Sequence, residues 1–444
     1  MAVAKQSLVE TSDFTPFLKK MTFFASGGVF LDGYILTIIS IALVQLAPQL
    51  KLDATWSGLA GASALVGLMV GALAFGYITD IVGRKAMYMI DLAMIVVFSI
   101  ACFFITSPME LVLFRFCIGI AIGADYPIST SLLAEFAPTK HRGFMMGLMM
   151  VIWYVGALCS SAVGYFLLAI PNGWAWMLAS AALPALILVI GRWDTPESPR
   201  WLLKAGKTEE ALKVVKKVWG PTAELSDLGE EPKKTNYKLM FQKGYFKRLF
   251  FVGFFWMFQV IPCFAIYTFG PQILGALGMV NGNDWIWGYA AIDVAFLVGC
   301  IPGLYWVESM GRRPMVIRSF ILMSIGLLMT CILATPPVWL VVAGFVIYAF
   351  FSGPPTVLDA LYPNELFPTE VRASAFGVAT AMSRVGAAVG TFLLPIALVA
   401  YGIQVTMIAA TVLTVLGLIV CIALAPETKG KTLVECGQLD ASGN

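Results

Sequence analysis

Ionisable side chains interrupt long apolar runs, among them Asp32, Arg115, Asp125, Asp293 and Arg384. An ionised Asp at the centre of such a run costs about 2.5–3.5 kcal/mol on insertion scales, so it must be paired, neutralised or used. Burial favours the neutral acid and a nearby cation favours the carboxylate. A carboxyl held between the two can take a proton from one side and release it to the other. Asp32, in ASGGVFLDGYILTIISIALV (25–44), fits that description, standing roughly 20 Å into its run at 1.5 Å per residue. Arg115 keeps its charge at any ordinary pH and therefore needs a partner. Asp32 is the expected one, either as a proton-coupling pair or as a fixed structural ion pair. Asp125 either shares the proton role, binds a cationic group, or faces a packed polar contact. Asp293 has no assigned role.

Arg384, in MSRVG (382–386), lies twelve residues past Arg372 and so roughly 18 Å into its run. A guanidinium is a planar fork that pairs two-point with a carboxylate. A buried Arg with no evident partner therefore suits an anionic substrate. The competing assignment is a pair with a protein acid such as Asp125 or Asp32.

These residues need elements that keep them dry. The chain of 444 residues is 59% hydrophobic and 12% charged, against about 25% charged in an average soluble domain. Some twelve apolar runs of bilayer-spanning length recur, centred near 32, 67, 96, 122, 155, 184, 260, 295, 323, 350, 385 and 414. Each must satisfy its own backbone hydrogen bonds, which predicts helices. Lys51 falls in an outer loop, and Arg115 and Arg384 fall inside runs. The rest of the 29 Lys and Arg fall in the two tails or in every second loop. That asymmetry places both termini in the cytoplasm. The first apolar run is too long for a cleaved secretory signal and lacks a cleavage site. Eight scattered cysteines form no CxxC pair, and the single His141 sits in a basic loop. Neither a disulfide framework nor a metal site is expected. No nucleophile–base constellation can be assembled, so no enzyme activity is expected.

The chain repeats itself. Six runs precede and six follow a basic segment, 193–244, which contains TEEALKVVKKVW with its apolar residues at helical spacing. GYITDIVGRK (76–85) is echoed by GLYWVESMGRR (303–313). EFAPTKHR (135–142) is echoed by ELFPTEVR (365–372), and PES (196–198) by PET (426–428). Three motif pairs in one order indicate two related halves. Asp80, Arg84, Glu135 and Arg142, with Glu308, Arg312, Glu365 and Arg372, form an acid–base collar at the inner helix ends. They act either as a cytoplasmic gate or as solvated loop charges, since exposed pairs contribute only about 0–1 kcal/mol each. Gly67, Gly71, Gly119 and Gly123 are assigned to close helix packing.

On these motifs the chain resembles the major facilitator superfamily over nearly its full length. PESPRWLL, PETKG and the paired E-x-x-P-x-x-x-R loops are similar to the sugar-porter branch and to its metabolite–proton symporter and organic-ion relatives. The resemblance implies two pseudo-symmetric six-helix bundles around a central cavity that rock between outward-open and inward-open states. It implies a proton switch at Asp32 and Arg115, gate roles for the collar, and an anion role for Arg384. Sugar porters open the seventh span with a Gln pair and an Asn; here Gln259 survives and Phe264 stands at the Asn place. The sugar-binding Gln of the fifth span falls at about Met150, beside Trp153 and Tyr154. With Tyr267, these residues describe an aromatic, amide-poor wall that fits a small organic acid better than a hexose.

The expectation is an all-α membrane protein of twelve transmembrane helices. Its bundles span 1–192 and 245–444, joined by the linker 193–244. It imports a small organic anion with protons as coupling ion and no other cofactor, from a bacterial inner membrane. Its partners are the anionic substrate and the bilayer; nucleic acid is not one, and the functional unit is a monomer. A sugar or polyol symporter is the alternative, and a non-transporting sensor is further off.

Overall fold

A computed structural model describes residues 15–136, 139–228, 237–279, 284–333, 336–368, 371–431 and 435–436. The apolar runs fold as helices. Six spans come from α1 (Pro16–Gln49), α2 (Ala54–Val82), α3 (Arg84–Ala101), α4 (Pro108–Phe136), α5 (Thr139–Leu168) and the pair α6 (Gly173–Ser180) and α7 (Ala182–Arg192). Two short linker helices follow, α8 (Pro199–Lys204) and α9 (Thr208–Trp219). The second half comprises α10 (Lys243–Ala276), α11 (Asp284–Ser309), α12 (Arg312–Cys331), α13 (Val338–Leu366) and α14 (Arg372–Leu424). The eleventh and twelfth runs are two helices, 372–401 and 403–424, joined without a polar loop at Gly402, whose φ of 77° and ψ of 172° break the helix in a conformation only glycine adopts readily; the label α14 covers both.

Helix starts follow local chemistry. The Thr15 hydroxyl accepts from the Leu18 amide at 3.2 Å, and Pro16 opens α1. Asp53 accepts from the Trp56 amide at 2.7 Å and starts α2. On the linker side the two halves use one device. Gly83 and Gly311 turn the chain at φ 106° and 93°, and a glutamate from the end of each half covers the next helix start. Glu197 accepts from the amides of Arg84 (3.0 Å) and Lys85 (3.1 Å). Glu427 accepts from those of Arg312 and Arg313, both at 3.1 Å. The PES and PET echo is thus a pair of capping carboxylates.

The small residues let backbones touch. A Cβ on Gly67 or Gly119 would lie 2.2 Å from the carbonyl oxygen of Phe116 or Ala64, which locks α2 against α4. The equivalent crossing in the other half, α11 against α13, has Gly299 2.0 Å from the Phe350 carbonyl on the same construction. In the linker, α9 buries Ala211, Val215 and Val218, and Trp219 stacks on Phe136 of α4 at 5.5 Å.

The halves meet on the side opposite the linker. Ser40 of α1 donates to the Tyr289 hydroxyl of α11 at 3.1 Å, and Ser161 of α5 donates to Asp293 of α11. Gly58 and Gly61 of α2 pack against Phe392 and Thr391 of α14. Asp293, left open by the sequence, therefore belongs to the contact between halves on the side away from the linker.

Candidate functional site

The site starts from a glycine crossing. Gly33 of α1 faces the Trp153 carbonyl of α5, and Gly156 of α5 faces the Phe30 carbonyl, too close in both cases for a side chain. That contact brings the Trp153 indole to Asp32, and its Nε1 donates to Asp32 Oδ2 at 2.9 Å. Both residues line a cavity between the halves with an empty volume of ≈ 640 Å³, its mouth included. Met150 and Tyr154 continue the wall from α5. Across it stand Trp256, Gln259, Cys263 and Phe264 of α10, Thr356 and Asp359 of α13, and Arg384 of α14.

The cavity has an aromatic side and a polar side. Trp153 makes edge contacts with Tyr154 (5.1 Å) and Phe264 (5.9 Å). The Arg384 guanidinium lies over the Phe264 ring, 5.3 Å from its centre. Gln259 Nε2 donates to the Ser352 carbonyl and to Thr356 Oγ1, both at 3.1 Å, and Tyr154 and Thr356 share a hydrogen bond of 3.0 Å between halves. Several polar atoms remain unmatched among the described residues: Asp32 Oδ1, Gln259 Oε1, Asp359 Oδ1 and Arg384 Nε. No ion pair within 4.0 Å reaches Arg384 among the described residues. Its charge is felt by Asp32 and by Asp359.

Most of the expected substrate residues thus converge, but Arg115, Tyr267 and Asp125 lie elsewhere. Arg115 does not meet Asp32. Its Nε donates to the Ala60 carbonyl of α2 at 2.8 Å and its Nη2 has no partner among the described residues. Asp32 lies 17 residues from the outer end of α1 and Arg115 lies 7 from that of α4. That puts them roughly 15 Å apart along the membrane normal. Tyr267 is not in the cavity wall. It stands two turns outward of Gln259, stacked on Phe296 at 4.5 Å, with its hydroxyl unpartnered.

Asp125 also lies away from the cavity surface. It pairs with Arg192 of α7 at 2.5 Å and accepts from Ser129 at 3.0 Å. Arg192 in turn sits 3.6 Å from the centre of the Tyr88 ring and donates to the Phe24 carbonyl. Asp91 of α3 faces the same pair. Asp91, Arg192 and Asp359 were missed by sequence reading. Asp359 and Asp91 carry the signal that flagged Asp32, an acid within an apolar run. Arg192 sits at a span end, where charge patterning assigns it to the inner loop.

Of the collar charges, those of the second half pair with each other at Arg312. Arg312 binds Glu365 at 2.9 Å and Glu308 at 3.1 Å. Arg372 donates to the Phe367 carbonyl at 3.3 Å, and Arg84 to the Ser198 hydroxyl at 3.3 Å. The side chains of Asp80, Glu135 and Arg142 lie outside the described residues.

Comparison with known proteins gives one answer. The profile of the family described as Sugar (and other) transporter matches residues 20–439. The putative metabolite transport protein YaaU of Escherichia coli (strain K12) is 46% identical over 97% of this chain and 97% of its own. The inner membrane metabolite transport protein YgcS of the same organism is 38% identical over 92% of this chain and 91% of its own. Among solved structures, a partially occluded inward-open conformation of the E. coli xylose transporter XylE superposes with a TM-score of 0.81. It is 22% identical and covers 94% of this chain and 100% of that one.

Proposed function

Since this chain belongs to the sugar (and other) transporter family and is a multi-pass inner-membrane protein, we propose that it is a proton-coupled symporter that imports a small organic anion. The observation that carries the reading is Arg384: a guanidinium lining the cavity between halves, with Nε buried and unmatched and no ion pair within 4.0 Å among the described residues. A substrate carboxylate supplies the two acceptor oxygens that this fork lacks.

Asp32 carries the proton. It faces the same cavity, its Oδ1 is unmatched, and the guanidinium of Arg384 acts on it. With Asp32 ionised, Arg384 is drawn toward a protein carboxylate. With Asp32 protonated from the outer side, the guanidinium is free for substrate. Trp153, Tyr154 and Phe264 cover the apolar body of the ligand, and Gln259 faces it with an open acceptor. Closure of the outer contacts at Ser40–Tyr289 and Ser161–Asp293 then commits the load, which leaves inward with its proton. Arg312, paired with Glu308 and Glu365 inside the second half here, re-pairs across the halves when the outer side opens. Proton coupling is supported by the fold shared with the solved transporter, described in its sugar-analogue complex as a proton:xylose symporter.

A neutral sugar or polyol is the second reading. The unmatched acceptors on Asp32, Asp359 and Gln259 favour it, because each suits a hydroxyl donor. Thermal-shift titration of the purified carrier with benzoate, D-gluconate, D-xylose and myo-inositol separates the two. The anion reading expects stabilisation by a carboxylate, lost in Arg384→Ala. Stabilisation by the neutral ligands alone, or a carboxylate response unchanged in Arg384→Ala, overturns it.

A further inference from the structure

We propose that Asp359 is a second proton-binding carboxyl of the carrier, so that each monovalent anion enters with two protons and one net positive charge. The inference rests on the anion reading above and adds the stoichiometry.

The argument is a charge count. The charged side chains lining the cavity among the described residues are Asp32, Asp359 and Arg384. With both acids ionised the empty site carries one net negative charge. A bound monocarboxylate makes that two, and one guanidinium cannot compensate three carboxylates. Asp32 taking a proton removes one of the two. The other stays on Asp359 once Arg384 has turned to the substrate.

Among the described residues, nothing else in its surroundings offsets that charge. Asp359 is 4% exposed and its Oδ1 has no hydrogen-bond partner. The titratable groups that act with it are Arg384 of α14, Cys263 of α10, Cys300 of α11 and Tyr154 of α5, and Asp32 of α1 shares its cavity. Arg384 is the one cation in that set. A buried carboxylate with its cation withdrawn is an uncompensated charge, which a dry site tolerates poorly. As a neutral acid, Asp359 instead gains an O–H donor directed at the ligand or at a neighbouring acceptor. Two protons bring the loaded site to neutrality, the condition under which it can be sealed from both sides.

The placement suits release. Asp359 stands 7 residues from the inner end of α13, and Asp32 stands 16 from that of α1. With the outer side closed, Asp359 is the acid nearer the inner mouth.

The test uses the full-length carrier in proteoliposomes with whichever of benzoate or D-gluconate stabilises it, at equal pH on both sides. An inside-negative potassium diffusion potential of about 100 mV should raise the equilibrium accumulation of the carboxylate by roughly 50-fold, the factor for one charge crossing that potential. Reversing the potential should drive efflux. Asp359→Asn should lose the response to potential while still accumulating the carboxylate down an imposed pH gradient; Asp359→Glu should keep both responses. Accumulation indifferent to potential in the unaltered protein overturns the second proton and leaves anion symport standing. So does a potential response that survives in Asp359→Asn. If neither carboxylate binds while D-xylose or myo-inositol does, the anion reading falls and the stoichiometry falls with it.

Discussion

Arg192 and Asp125 form an ion pair of 2.5 Å in which the guanidinium is fully buried and the carboxylate nearly so. Asp91 faces the same guanidinium, so two carboxyls share one cation between α3, α4 and α7. Removing one partner of such a pair costs about 3–5 kcal/mol because the other charge is left uncompensated. Arg192→Ala should therefore lower Tm by roughly 3–5 °C in a chain of this length, read by intrinsic fluorescence of the detergent-solubilised protein. Asp125→Leu combined with Arg192→Leu should cost less than Arg192→Ala alone. An unchanged Tm in Arg192→Ala would show that the pair does not hold these helices together.

The inner caps give a pH-dependent prediction. Burial by itself would raise the Glu427 carboxyl, but the amides of Lys429, Arg312 and Arg313 outweigh it and hold the group below its ordinary value of 4.5. A carboxyl depressed in the folded state contributes stability that is present above the unfolded value and lost as pH falls through the folded one. At pH 7, Glu427→Gln should lose about 1 kcal/mol, the usual worth of a helix cap and a Tm drop of about 1–2 °C. The difference from the unaltered protein should close as both are titrated below pH 4. A gap that persists unchanged at low pH would mean that the carboxylate charge is not what caps Arg312 and Arg313.

The sequence carried the frame because membrane crossing constrains it so tightly. Run length, charge asymmetry and the echoed loops each arise from a requirement on backbone or charge that a single chain displays. Glu197 and Glu427 were legible as a repeat, although their capping of the helix starts at Arg84 and Arg312 needed coordinates. Partner choice was less legible. Asp32 and Arg115 both sit in apolar runs, but which atoms meet depends on how far each helix slides along its neighbour. Gly33 and Gly156 set that slide by letting α1 and α5 touch, which delivers Asp32 to Trp153 and leaves Arg115 on Ala60. Arg192 was hidden for another reason. A basic residue at an inner helix end is what orientation alone demands, so its pairing with Asp125 left no separate mark on the sequence.

The direct test of the central claim, that Asp32 couples substrate movement to protons, is transport in proteoliposomes with an imposed pH gradient, acid outside. The unaltered carrier should concentrate the carboxylate that stabilises it. Asp32→Asn should equilibrate that carboxylate across the membrane and exchange it with internal substrate, yet fail to concentrate it. Concentrative uptake by Asp32→Asn would contradict the account.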